Sequence, residues 1–339
     1  MIDLLKELCE INAVSGNERE LREVILSKIS TYADCKVDRM GNIIAAKKGR
    51  QAPKIKLMIS AHMDEVGLMI TSIGDTGLLK FASVGGIDPR VLMGRRVCVG
   101  DNCILGVIAT KPIHLQTEDE RSSAPAIDKL YIDIGVADKD EAAGLVSLGD
   151  TAAFDTKFTA FGDGLLCSKA LDDRIGCAIL IDLIQSDLPY DTTFLFAVQE
   201  EVGLRGATVA AFSVKPDIAI VVEATTAADI PGVPEEQTVC KIGQGAVISF
   251  MDGHTIYNRE LYQMTNQIAN QKGIKWQPKS AISGGNDAGA IHQSGEGVKV
   301  AAISVPTRYI HSPCCVASIE DIESVASLVR ELANKILEE

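Results

Sequence analysis

Five residues with metal-binding side chains each close an apolar run of this chain. They are His62 in ISAHMDEVG, Asp172 in SKALDDRIG, Glu201 in FAVQEEVG, Glu223 in IAIVVEA and His311 in PTRYIHSP. Two imidazoles, one central aspartate and two further carboxylates are what a pair of divalent cations requires. Nitrogen and carboxylate donors suit zinc, cobalt or manganese. A sixth acid, Glu200, stands beside Glu201 and is left over to serve as base to an activated water. A two-metal hydrolase is therefore the leading reading.

The chemistry assigns roles. A carboxylate that bridges two cations sits between two outer sets of ligands. Asp172 is the expected bridge, His62 and Glu223 complete one metal, and Glu201 and His311 complete the other. Asp64 lies two residues beyond His62, on the same side of an extended segment. It is expected to accept the second imidazole N–H and so fix the tautomer. Glu200 faces away from Glu201 on an extended backbone. It stays off the metals and is expected to act as general base, then as acid to the leaving amine. Taken singly, most of these residues have a plain structural reading. Asp172-Asp173 could cap a helix, Glu200-Glu201 could be a solvated strand end, and a lone histidine could be a satisfied polar group. Glu223 resists this, because it ends a run of Ile, Ala and Val where an unpaired carboxylate is costly.

Strands and helices must bring these positions together. MIDLLKELCEIN reads as an amphipathic helix, and Ser15 with Glu18 reads as a capping box before a second helix. CKVDRMGNIIAAKKG reads as a hairpin turning at Met40-Gly41-Asn42, and KIKLMIS as a strand ending at His62. From Gly162 onward, near-continuous apolar strands alternate with helices, which indicates an α/β sheet covered on both faces. Ligands of such sheets bind beyond the carboxyl ends of the strands, so acids and histidines at strand ends can converge in one crevice. Residues 70–161 differ. Short strand-like runs separated by Gly and Pro suggest a small β-rich barrel or sandwich, inserted between catalytic segments 1–69 and 162–339. That block is expected to add nothing to the ligand set.

Bulk properties exclude other classes. The net charge of −13 argues against nucleic acid and against an anionic membrane surface. No stretch approaches the ~18 apolar residues of a membrane span, and the N-terminus lacks the pattern of a signal peptide. The nine cysteines are scattered without a CxxC pair, and are read as reduced thiols of a cytoplasmic protein.

In combination, AHMDEVG, SKALDDRIG, QEEVGLRGA, RYIHSP and VGGIDPRVLMGRRV resemble the metallo-aminopeptidases that form tetrahedral, self-compartmentalising particles. These include glutamyl and deblocking aminopeptidases, and some relatives carry an endoglucanase or cellulase M label. The resemblance covers essentially the whole chain. It implies a three-layer catalytic domain of the zinc-exopeptidase type, interrupted by a β-rich dimerisation and assembly domain. It implies two divalent ions per subunit held by His62, Asp172, Glu201, Glu223 and His311, with Asp64 and Glu200 as the catalytic pair. It also implies homo-oligomers, tetrahedral dodecamers built from dimers, that act on peptides. Related two-metal enzymes hold the peptide bond between the paired aspartates in cis, which is expected here at Asp172-Asp173. Many relatives carry Asp at the position of Glu223, and often Gly-Thr-Asp at Gly285-Asn286-Asp287.

A deacylase or dipeptidase on the same fold is the nearest alternative, and a glycosidase using Glu200 and Glu223 is a more distant one. Only 4% of residues are aromatic, with one tryptophan, Trp276, so sugar-stacking material is scarce. A non-catalytic relative should have lost a ligand or the base, and none is missing. Substrate preference is open. Asp229, Glu235 and Glu236 could attract basic side chains, Arg205 or Arg308 could hold acidic ones, and His254 and His292 could border the crevice.

Overall fold

The computed structural model describes residues 1–338. Its centre is an 11-stranded mixed sheet. Four adjacent parallel strands form the middle, in the spatial order Thr192–Ala197, Leu57–His62, Ile218–Thr226 and Lys299–Arg308. Antiparallel strands extend both edges. Asp34–Val37 and Ile43–Lys47 lie on one side, and Cys315–Ser318, Leu165–Ser168 and Thr159–Phe161 on the other.

Alternation along the central strands separates two apolar layers, because successive side chains point to opposite faces. Leu57, Ile59, Ala61, Ile220, Val222, Ile303 and Val305 face one layer. There they pack with the helices Ile2–Glu10, Arg19–Ile29, Leu171–Gln185 and Ile319–Glu338. Met58, Leu195, Ala219, Val221, Val300 and Ala302 face the other, against small residues of the helix Arg205–Val214 and against Ile291. The sheet is thus covered on both faces, giving the expected three-layer α/β architecture.

Six strands from Gly67 to Phe154 close into a separate antiparallel barrel. Its interior is a second core built from Leu68, Ile70, Leu79, Val97, Val99, Ile108, Ile132 and Phe154. The first barrel strand, Gly67–Ile73, begins ahead of residue 70. Thr159–Phe161 pairs with Leu165–Ser168 in the large sheet, not in the barrel.

Two local expectations are corrected. Ser15 and Glu18 form no capping box. The Ser15 hydroxyl donates to Asp64 Oδ2 at 2.6 Å, and Glu18 Oε1 accepts from the amides of Gly16 and Gln199. Both side chains are drawn to longer-range partners than the helix end. The nine cysteines are not all reduced thiols, since Cys98 and Cys103 are disulfide-bonded and seven are free. They flank the tight turn between strands Arg96–Val99 and Ile104–Ala109, with their Cα atoms 4.4 Å apart. No described helix is long and apolar enough to cross a membrane.

A buried ion cluster joins the N-terminal helix to the site. Glu65 accepts from Lys169 Nζ at 2.7 and 2.9 Å, and from the Ala13 amide at 2.9 Å. The fully buried Arg174 guanidinium reaches Glu65 at 3.4 Å and donates to the carbonyls of Leu8 and Ile11, at the C-terminal end of the first helix. A cation there also complements the helix dipole. Removing one member leaves uncompensated buried charge. Glu65→Gln is therefore expected to lower stability by about 3–5 kcal/mol in urea unfolding. A loss below about 1 kcal/mol would mean that the cluster is held by packing alone.

Candidate active site

The parallel strands all deliver their carboxyl ends to one edge of the sheet. His62 is the last residue of Leu57–His62. Glu200 and Glu201 lie in the turn after Thr192–Ala197, and His311 lies in the turn after Lys299–Arg308. Glu223 sits inside its strand, Ile218–Thr226, not at its end. Asp172 lies in a non-helical stretch at the start of the Leu171–Gln185 helix, and the Asp172-Asp173 peptide bond is cis as expected.

These side chains converge. His62 Nε2 lies 3.1 Å from Asp172 Oδ1 and 3.8 Å from Glu223 Oε2. His311 Nε2 lies 3.1 Å from Glu201 Oε2 and 3.6 Å from Asp172 Oδ2. Asp172 thus turns one oxygen toward each imidazole. Two groups have ligand atoms within 4.8 Å of one another, His62–Asp172–Glu223 and Asp172–Glu201–His311, and they share Asp172. Glu223 Oε1 is buried without a hydrogen-bond partner. A carboxylate oxygen left bare among other acids fits a cation better than it fits an apoprotein core.

The other ring nitrogens are also engaged. His62 Nδ1 is 3.0 Å from the Asp64 backbone carbonyl and 3.5 Å from the Asp64 carboxylate. That carboxylate is largely committed elsewhere. It accepts from Ser15, and from the backbone amides of Glu200 at 2.9 Å and Glu201 at 3.1 Å. Asp64 therefore holds the turn that carries both glutamates, a link invisible in the sequence spacing. His311 Nδ1 lies 3.0 Å from the Gly86 carbonyl. Gly86 follows the barrel strand Leu79–Val84, so the inserted block touches the site through one backbone carbonyl, while neither candidate ligand group draws a residue from it.

Asn42 completes the support. Fully buried, it accepts from the Val198 amide and donates to the Gly206 carbonyl, clamping both ends of the glutamate turn. A Cβ at Gly206 would collide with Asn42 Oδ1 and the Val198 carbonyl, so only glycine permits this approach. The sequence placed Asn42 in a hairpin turn and offered no sign of this second task.

Electrostatics follow from the crowding. Burial pushes the Glu200, Glu201 and Glu223 carboxyls upward, and their acidic neighbours add to this. Burial also raises Asp287 to about 7, against the pull of His62, and neither of its carboxylate oxygens has a partner. Burial opposes ionisation of Asp172 too, but His311 and His62 outweigh it and hold this carboxyl low. The same pairing acts on the imidazoles. Burial disfavours their charge, yet the surrounding carboxylates raise His62 well above the ordinary value and His311 to about 11.

A cavity of about 330 Å³ opens over these residues and is also lined by His254, Lys279 and Asn286. His292 instead turns Nδ1 to the Ala288 carbonyl. Arg308 and Asp229 neutralise each other at 2.7 and 2.6 Å, and Glu235 pairs with Lys241.

A model of the M42 glutamyl aminopeptidase family matches residues 41–328. The chain belongs to this family. It is an aminopeptidase, a hydrolase of peptide bonds. It is 41% identical to a putative aminopeptidase of Acetivibrio thermocellus over 98% of both chains. Its fold matches a TET aminopeptidase from a marine sediment archaeon of the Thaumarchaeota, with a TM-score of 0.94, 34% identity and coverage of 99% and 96%. It also matches the TET1 peptidase of Pyrococcus horikoshii, described as assembling into a tetrahedron or a large octahedral shell. There the TM-score is 0.87, with 37% identity over 98% of both chains.

The raised imidazoles have a consequence for this aminopeptidase. A pKa above its ordinary value keeps the proton on at neutral pH, whereas a metal takes the deprotonated ring. Loading the metal-free protein with zinc, cobalt or manganese is therefore expected to release at least one proton per subunit. Apparent affinity should rise with pH. Calorimetry in buffers of different ionisation enthalpy measures this, and no net release at neutral pH would show that the imidazoles are already neutral in the metal-free protein.

Proposed function

We propose that the aminopeptidase works with two divalent ions, zinc, cobalt or manganese, and with Glu200 as its general base. The observation that carries this is the shared carboxylate, Asp172 turning one oxygen toward each imidazole in two adjoining ligand groups. His62 and Glu223 would hold one ion, Glu201 and His311 the other, and Asp172 both. When bound, such ions polarise a scissile carbonyl and acidify water.

The chain's own residues do the rest. Glu200 lines the cavity but belongs to neither ligand group, so its carboxylate is free to take a proton from the attacking water. Burial raises its proton affinity and suits it to hold that proton, then to pass it to the leaving amine. Asp64 keeps the glutamate turn in place through the amides of Glu200 and Glu201, and it steadies His62. Gly86 orients His311 from the barrel side. The cavity is of a size to take the end of a peptide and not a folded domain.

Segments 1–69 and 162–339 form the catalytic unit in this reading, and the block 70–161 serves dimerisation and assembly. The tetrahedral assembly named for the Pyrococcus relative supports a homo-oligomer here, a dodecamer built from dimers with peptides as substrates. A glycosidase reading leaves both imidazoles without a task.

Glu200→Gln keeps the size of the side chain and removes the base. It is expected to lower kcat on aminoacyl-anilides by roughly 10²–10⁴-fold, with metal content by elemental analysis unchanged. Glu223→Ala should instead lose metal along with activity. Wild-type rates in the Glu200→Gln protein would remove Glu200 from the mechanism. Light scattering is expected to give a mass many times the 36.2 kDa of one chain, and a monomer would overturn the assembly.

A further inference from the structure

Two of the free cysteines meet at the junction of the barrel and the large sheet. Cys9, Cys177, Cys240 and Cys315 are buried, and the half-buried Cys35 turns its sulfur to the Ala33 carbonyl at 3.5 Å. Cys167 and Cys314 are half-buried instead, and both line one open cavity of about 600 Å³. The strand register brings them together. Where Leu165–Ser168 pairs with Cys315–Ser318, Cys167 stands opposite Val316. Cys314 is two residues before Val316, on the same side of the chain by the two-residue period. It is therefore the diagonal neighbour of Cys167. Burial, then the charge and the hydrogen bond of Cys314, push the Cys167 thiol up to about 11. Cys315 stands opposite Ser168 and faces the other way, into the core.

Cys314 also closes the turn that carries His311. Its amide donates to Ser312 Oγ at 3.2 Å, and the Cys315 sulfur lies 3.5 and 3.7 Å from the carbonyls of Tyr309 and Ser312. Tyr309 and His311 have φ of 59° and 58°. Left-handed backbone at such residues persists only while its surroundings hold it. Diagonal neighbours lie about 7–8 Å apart at Cα, whereas a disulfide spans about 4.4–6.8 Å. Closing a bond here would draw the turn toward the strand, and His311 with it.

We propose that Cys167 and Cys314 are an oxidisable dithiol, a modification site that closes to a disulfide by exchange with a small anionic disulfide and displaces the His311 turn. Arg95 and Lys157 line the cavity and favour the negative charge of that reagent, while Arg96 is held by Asp155. Cys314 takes the first step, because a thiol held as high as Cys167 is a slow attacker. The Cys314 sulfur loses its proton and attacks one sulfur of the reagent. The reagent's S–S bond breaks, and one half leaves as a thiol with that proton. The Cys167 sulfur then loses its proton and attacks the Cys314 sulfur, and the second half leaves as a thiol in the same way. The two cysteines are oxidised and the reagent is reduced. This goes beyond the metal reading, since the bond forms or fails to form whatever the site holds.

The test treats the full chain, metal restored, with oxidised glutathione. An unreduced digest is mapped by mass spectrometry, and an aminoacyl-anilide rate is followed. The expected result is a linked Cys167–Cys314 peptide and a rate lowered by roughly 10- to 100-fold, the scale that an ångström of misplacement costs. Dithiothreitol should restore the rate. Cys314→Ser should keep its basal rate and lose sensitivity to the reagent, Cys167→Ser should stop at a glutathione adduct on Cys314, and Cys35→Ser should respond as the wild type does. No linked peptide in the wild type would overturn the proposal. So would a linked peptide with an unchanged rate, because the bond would then not reach His311. An equal loss of rate in Cys314→Ser would also overturn it. Mapping of the wild type decides the first two outcomes even if a serine variant fails to fold.

Discussion

Too many carboxylates meet in one buried crevice for all of them to be ionised unaided. Asp172, Glu200, Glu201 and Glu223 line one cavity, and Asp287 lies buried nearby with no partner. Burial and mutual repulsion raise most of them, while Asp172 stays ionised because an imidazole faces each of its oxygens. A core like this is unfavourable until positive charge enters. Protons on His62 and His311 would supply some of it, and bound metal would supply more. The clustering of these side chains and the demand for a well-braced scaffold both follow from that one imbalance.

The scaffold meets the demand by bracing several segments of the site from different parts of the chain. Asp64 ties the His62 strand to the glutamate turn, and Asn42 clamps that turn from a hairpin at the sheet edge. The cluster of Glu65, Lys169 and Arg174 binds the segments on either side of Asp172 to the first helix. Gly86 carries the barrel's influence to His311. The barrel is therefore joined to one imidazole of the site by a hydrogen bond. Backbone amides and carbonyls do much of this bracing, which gives fixed direction at little entropic expense.

Much of this was legible beforehand because it depends on local pattern. The apolar runs ending at His62 and preceding Glu200 appear as strands, and the two-residue alternation of Leu57, Met58 and Ile59 marks a sheet with two covered faces. The chain of short runs broken by Gly and Pro closes into a barrel. What misled were short-range signals overridden by distant partners. Ser15 and Glu18 have the spacing of a capping box, but Asp64 and Gln199 claim them. Cys98 and Cys103 look like two scattered thiols until a hairpin turn brings them together.

The sequence alone determined which residue types lie in or beside its apolar runs, and hence the chemistry on offer: two imidazoles, an aspartate and three glutamates. That information is local, because the period of a strand and the nature of a side chain can be read without knowing any partner. Only the tertiary structure decided who faces whom. It set Asp172 between two histidines drawn from opposite ends of the chain. It gave Asp64 to the backbone of the glutamate turn and cancelled Arg308 against Asp229. Pairing and burial are properties of residues far apart in sequence, and a linear pattern carries no record of them.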